Sequence, residues 1–218
     1  MHCFYRSVLI VAMASVGSGA AMADGYNIAW DKCWNSGGTR FAEMPCGAGG
    51  SRTAVLSVRT DVTLTNVLQL DAVVDIVAPG TLPDAWQFQA GGCHQNYIGL
   101  NAGPPNLGCA AAVPAAANPL LLFSVYPFAG NPSVERVYLS ATETSPRTLN
   151  AGTEYVAFKL SFATDGVIDP CAGCDQPVNL IVREVRITRS GPECTTLNTP
   201  LANGILDTGT GCAVMFQP

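Results

Sequence analysis

Apolar and polar side chains alternate along much of this chain with a period of two. That spacing puts one face of a β-strand on a core and the other in solvent. The clearest case lies within Thr153–Phe162, where Val156, Phe158, Leu160 and Phe162 share one face and Tyr155, Ala157, Lys159 and Ser161 the other. A second run, Val178–Arg189, places Leu180 and Val182 on one parity and Val185 and Ile187 on the opposite one. A single extra residue at Arg183-Glu184 reconciles the two halves, so a β-bulge is predicted there. The two runs read as a core hairpin around a loop that carries Cys171-Ala172-Gly173-Cys174.

The same pattern recurs elsewhere. Asp24–Trp30 reads as an opening strand with Tyr26, Ile28 and Trp30 on one side, and Thr53–Arg59 and Asp61–Leu64 as strand pieces. Asn66–Ala78 is a long strand with Leu68, Leu70, Ala72, Val74 and Ile76 inward and Gln69, Asp71 and Asp75 in solvent, stopped by Pro79-Gly80. Leu82–Gln89 is a short aromatic segment, and 91–119 is loop-rich, with Pro114 and Pro119 limiting any helix in its alanine tract. Leu120–Tyr126 and Val134–Thr142 are strands around a turn at Pro127–Pro132, and Ile205-Leu206 and Ala213–Phe216 close the sheet. No helical periodicity is sustained beyond the N-terminal segment, and no repeat of 20–50 residues occurs. Many short strands separated by Gly/Pro-rich turns predict an all-β fold: an antiparallel β-sandwich with jelly-roll or Greek-key connections and long, disulfide-stapled loops. A closed barrel is the nearest rival.

Composition adds the compartment. Met1–Arg6 is a short basic n-region, Ser7–Gly17 an apolar h-region, and Ala21-Met22-Ala23 a small-x-small cleavage site. Residues 1–23 therefore read as a signal peptide and 24–218 as a single secreted or periplasmic domain, without a transmembrane segment. Losing Arg6 with the leader takes the net charge from −5 to −6, and no Lys/Arg cluster offers a phosphate-binding face, which argues against nucleic acid. With Cys3 gone, eight of the nine cysteines remain, and an even number in an exported chain predicts four disulfides. Eight cysteines allow 105 pairings. Their clustering suggests local staples: Cys33–Cys46, Cys93–Cys109, Cys171–Cys174 and Cys194–Cys212.

Two stretches carry a family likeness. Leu82-Pro-Asp-Ala-Trp-Gln-Phe88 followed by Gly92-Cys93 resembles a signature of uncharacterised secreted bacterial proteins with a disulfide-containing β-sandwich. Ala151-Gly-Thr-Glu-Tyr155, with Cys171-Ala-Gly-Cys174 and Pro177-Val178, is similar to the same family. The likeness spans most of the mature chain and implies no particular activity. The strand order also resembles cohesin-type and carbohydrate-binding sandwiches, an analogy of fold alone.

Candidate chemistry is sparse. Cys171-x-x-Cys174 lacks the βαβ context of a redox motif and the further ligands of a zinc site, since His94 is the only mature histidine. A turn staple fits better: residues i and i+3 of a turn lie within disulfide reach, and Gly173 permits a type II turn. Asp165, Asp169 and Asp175 share one loop, and calcium is their candidate ligand, with solvated turn carboxylates the simpler reading. Asp207-Thr208-Gly209 resembles half of an aspartic-protease site, but that chemistry needs a second such motif, which the chain lacks. Gly-x-Ser-x-Gly is absent, and nothing singles out a carboxylate pair for glycoside hydrolysis. Trp30, Trp34, Trp86 and Tyr97 are candidates for ligand contact, weighed against core packing beside a disulfide. The expectation is a secreted, non-catalytic β-sandwich that binds an extracellular glycan, protein or surface and needs no cofactor. The alternatives are a glycan hydrolase with an unidentified carboxylate pair and a structural envelope or matrix protein. A convergent carboxylate pair in a cleft favours the hydrolase, and an exposed aromatic strip or apolar patch the binding module.

Overall fold

The alternating runs become strands of two antiparallel sheets packed face to face. The computed structural model describes residues 25–44, 50–102, 106–113, 119–163 and 171–190, with the backbone of 194–197 and 205–207. In chain order the strands are β1 (Gly25–Trp30), β2 (Ser51–Arg59), β3 (Leu64–Val77), β4 (Ile98–Asn101), β5 (Ala110–Ala111), β6 (Leu120–Pro127), β7 (Val134–Leu149), β8 (Tyr155–Ala163), β9 (Asn179–Arg189), β10 (Cys194–Leu197) and β11 (Ile205–Asp207). The first sheet runs β1-β2-β8-β4, with β5 lying parallel against the start of β8. The second runs β10-β9-β3-β7-β6, with β11 also on β9. The predicted signal peptide, the Cys46 position and the strand proposed at 213–216 lie outside the described residues.

The expected hairpin between the two most regular runs does not form. β8 belongs to the first sheet and β9 to the second, so the loop carrying Cys171 and Cys174 crosses between sheets. Each strand offers a strongly apolar face, and the sandwich buries both by facing them across the core rather than placing them side by side. The bulge at Arg183-Glu184 is present: Val73 pairs with Glu184 and Val74 with Val182, leaving Arg183 as the extra residue. Val182 and Val185 are consequently both buried.

Other bulges shift the expected faces. In β8, Leu56 pairs with Phe158 and Ser57 with Val156, so Ala157 is the extra residue. Tyr155, Ala157, Phe158, Leu160 and Phe162 therefore enter the main core. Val156 turns to the far side of the sheet, where it packs with Cys33, Val55 and Leu107. A register shift in β3 buries Val67 in place of the expected Leu68. Residues 61–63 form a bend, and β3 begins only at Leu64. The core centres on Phe162, whose ring lies 6.0 Å from Trp30, 5.9 Å from Trp86 and 5.6 Å from Phe88.

Disulfides join distant loops instead of stapling local ones. Cys33 bonds Cys109 and Cys93 bonds Cys171, which corrects the expected pairs Cys33–Cys46, Cys93–Cys109 and Cys171–Cys174. Backbone contacts explain the choice. The Cys33 N–H donates to the Leu107 carbonyl, aligning the 33–37 loop with the segment before Cys109. The Ala85 N–H donates to the Ala172 carbonyl, while His94 Nδ1 sits 2.7 Å from the Ala85 carbonyl, so Cys93 and Cys171 converge on one short helical turn, Asp84–Trp86. Cys174 is also disulfide-bonded, to a cysteine other than these four. The Cys194–Cys212 pairing lies outside the described residues. The turn character expected of the CxxC segment survives: Gly173 has φ +83° and its carbonyl accepts from the Gln176 N–H.

Candidate functional site

One end of the second sheet gathers most of the unusual chemistry. Arg136 on β7 directly opposes Asp75 on β3, and Arg183, at the bulge in β9, reaches the same carboxylate. Arg136 binds side-on, Nε to Oδ1 at 2.7 Å and an NH2 to Oδ2 at 2.9 Å, while Arg183 Nε reaches Oδ2 at 2.8 Å. Asp75, expected in solvent, is only 2% exposed. Alternation placed it correctly on the outer face; the two arginines cover it there. The bonds to Asp75 raise the Arg136 pKa further above its ordinary value, so this guanidinium stays charged. Phe128 stacks against Arg136, 4.5 Å from its guanidinium carbon to the ring centre.

These groups line an outer-face cleft of about 640 Å³, together with Val73, Asn131, Tyr138 and Glu184. Its rim is set by the turn after β6. The Phe128 N–H donates to the Val134 carbonyl, Asn131 Oδ1 accepts from the Ser133 N–H, and Gly130 takes φ +79°. That bonding holds Phe128 in place.

The other side of this turn opens a second cleft, about 690 Å³, that reaches Glu135. Glu135 opposes Ile76, a core residue, so it points to the sandwich interior while its neighbour Arg136 points out. It is 1% exposed and accepts backbone N–H bonds from Phe88 and Gln89. Burial pushes its pKa up to about 7, against the opposing pull of those two N–H groups. Glu135 and Asp75 thus occupy opposite faces of one sheet and do not form a pair.

A third buried carboxylate, Glu154, is structural in its contacts. It accepts from the Ser57 hydroxyl, the Asn27 amide and the Asn35 backbone N–H, tying the 33–37 loop to the first sheet.

Exposed apolar surface concentrates on β6, the turn that follows it and the adjoining part of β7. Leu120, Leu122, Phe123, Tyr126, Phe128 and Tyr138 are six of the eight large exposed hydrophobics among the described residues. Leu122 and Tyr126 oppose Ser140 and Arg136 on the outer face, and the rings of Tyr126 and Tyr138 meet edge-on at 6.1 Å.

The residues singled out from sequence go elsewhere. Trp30 and Trp86 are each 1% exposed and belong to the core, which removes them as ligand contacts. Trp34 is half-buried in the 34–36 turn, and Tyr97 packs on His94 at 5.2 Å between ring centres. They do not converge on one surface. Asp175 is exposed, while Asp165 and Asp169 lie outside the described residues. Among the described residues, no group of three or more His, Cys, Asp or Glu side chains is placed to hold a metal ion. Asp207 ends β11 opposite Asn179, and the Thr208-Gly209 that follows it lies outside the described residues.

No family model matches this chain, and no curated protein matches it. Disulfides of this kind persist in oxidising compartments, consistent with an extracellular or periplasmic setting. Among the described residues no helix is long and apolar enough to cross a membrane.

Proposed function

We propose that this is a secreted, non-catalytic β-sandwich module that binds an extracellular glycan on the outer face of its second sheet. The observation that carries the reading is the aromatic patch of Tyr126, Phe128 and Tyr138, which are 55%, 39% and 44% exposed beside a cleft with polar and charged walls. A contiguous apolar patch rimmed by polar groups is costly to leave in water and marks an interaction surface. Tyr126 and Tyr138 offer flat faces with a hydroxyl at the edge, which suits a ring that is apolar on its faces and hydroxylated around its rim. The hydrolase alternative draws support from Glu135, a carboxyl with a raised pKa in a cleft. Among the described residues lining its cleft Glu135 has no second carboxylate beside it, and Asp75 faces the other side of the sheet, paired with two arginines.

The test is a glycan array with the oxidised protein, followed by titration of any hit with Tyr138→Ala and Tyr126→Ala. The reading expects binding weakened at least about tenfold in each variant, the loss of one aromatic contact. Binding that both variants retain in full, or no glycan bound at all, refutes it.

A further inference from the structure

We infer that the outer-face cleft takes an acidic sugar, specifically a uronic acid whose carboxylate is held by Arg183. The inference rests on the glycan-binding reading and deepens it.

The argument begins with hydrogen-bonding capacity. Asp75 Oδ2 already accepts from both Arg136 and Arg183, and Oδ1 accepts from Arg136. The buried carboxylate is thereby satisfied by two arginines that line the cleft with it. A guanidinium carries five N–H donors. Arg183 gives Asp75 only its Nε–H, so its two terminal NH2 groups remain beyond that bond, on a side chain 31% exposed in the cleft. Arg136 turns its Nε edge to Asp75, is covered by Phe128 and also bonds Tyr138, which makes it mainly a brace. Glu184 is the other acid of the cleft; its Oε1 is engaged by Arg186 at 2.8 Å. Asp75 and Glu184 balance Arg136 and Arg183 in the cleft lining, so the cleft is neutral on a protein of net charge −5, and Arg186 offsets Glu184 from beside it.

Geometry favours a carboxylate. Asp75 fixes the plane of the Arg183 guanidinium, and a planar fork held in advance matches a carboxylate in a bidentate bond. Alternation after the core residue Val182 sets Arg183 on the outer face with Asp75, and the bulge keeps Glu184 on that face as well. Tyr138 lines the same cleft, so an aromatic face and a cationic fork sit together. A uronic acid presents those two complements, a flat ring and a carboxylate fixed at its edge.

The experiment titrates the oxidised protein with galacturonate, mannuronate and glucuronate oligosaccharides, with the methyl ester of the galacturonate oligomer, and with dextran sulfate, at about 0.15 M salt. The expected result is that at least one uronate oligomer binds, and the galacturonate oligomer, where bound, is at least about tenfold tighter than its methyl ester, the worth of a charge-assisted bond. Arg183→Gln should abolish that preference while Arg186→Gln leaves it. If Arg183→Gln does not fold, Arg183→Lys, which keeps the charge without the planar fork, should show the same loss. Equal binding of the acid and its ester, or uronate binding that Arg183→Lys retains, overturns the inference and leaves glycan binding standing. Binding of dextran sulfate without any uronate also overturns it. An array with no glycan bound removes both readings together.

Discussion

Glu135 makes the stability of this protein depend on pH in a direction opposite to that of most carboxylates. Its pKa in the folded protein is raised to about 7, against an ordinary value of 4.5. A carboxyl whose pKa is higher when folded holds its proton more tightly in the folded state. Stability is therefore fullest below about pH 4.5, falls as pH rises through the interval, and levels off above about 7. At 1.36 kcal/mol per unit, the fall is about 3 kcal/mol, or about 6–12 °C in Tm for a domain of this size. The perturbation is Glu135→Gln, which removes the ionisation. Its amide cannot accept from both the Phe88 and Gln89 N–H groups, so some constant loss is expected. The diagnostic is therefore the slope. Chemical denaturation of both proteins between pH 4.5 and 8 should show wild type losing about 3 kcal/mol relative to the variant, with contributions from other carboxylates cancelling in the difference. Parallel profiles would refute the argument and return Glu135 to an ordinary ionised carboxylate.

Three further outcomes follow from the same structure. Asp75→Ala strands Arg136 and Arg183 without their shared partner; because their side chains are 25% and 31% exposed and can rehydrate, the expected cost is about 2 kcal/mol rather than the 3–5 of a fully buried pair. A denaturation midpoint unchanged by that substitution would contradict the description of the cluster. Non-reducing peptide mapping should recover cross-linked fragments holding Cys33 with Cys109 and Cys93 with Cys171, and a Cys171–Cys174 fragment would overturn it. With its cysteines 76 positions apart, the Cys33–Cys109 bridge contributes about 4 kcal/mol in the chain-entropy model, so Cys33→Ser/Cys109→Ser should lower stability by that order.

What was legible in the sequence was what depends on near neighbours. Period-2 alternation marks the strands because a residue and its second neighbour share a face whatever the strand pairs with. The bulge at Arg183 was readable for the same reason, since the apolar parity changes within one strand. Pairing partners were not, because β8 and β9 are equally apolar and only the assembled core decides whether they lie side by side or face to face. Asp75 shows the limit well. Its outward face was correct, yet its arginines arrive from 61 and 108 residues away, and no local pattern records them. The aromatic candidates failed through their own hydrophobicity: Trp30 and Trp86 were drawn into the core around Phe162. Tyr126, Phe128 and Tyr138 stayed outside on an edge strand, a turn and the neighbouring strand. For Tyr126 the signal was the run Leu120–Tyr126 itself, apolar on both parities in a strand that ends its sheet among the described residues.

The two mapped disulfides interleave along the chain: Cys93 lies inside the loop closed by Cys33–Cys109, and Cys109 inside the loop closed by Cys93–Cys171. A polypeptide that emerges N-terminus first into an oxidising compartment presents Cys46 to Cys33, and Cys109 to Cys93, well before either native partner is in place. Oxidation in order of synthesis therefore favours the wrong bonds. Native connectivity is reached either by keeping the thiols reduced until β8 has docked or by reshuffling through mixed disulfides. Yield of this protein should accordingly depend on a disulfide isomerase more than on an oxidase, a requirement written into the order of its cysteines rather than into their number.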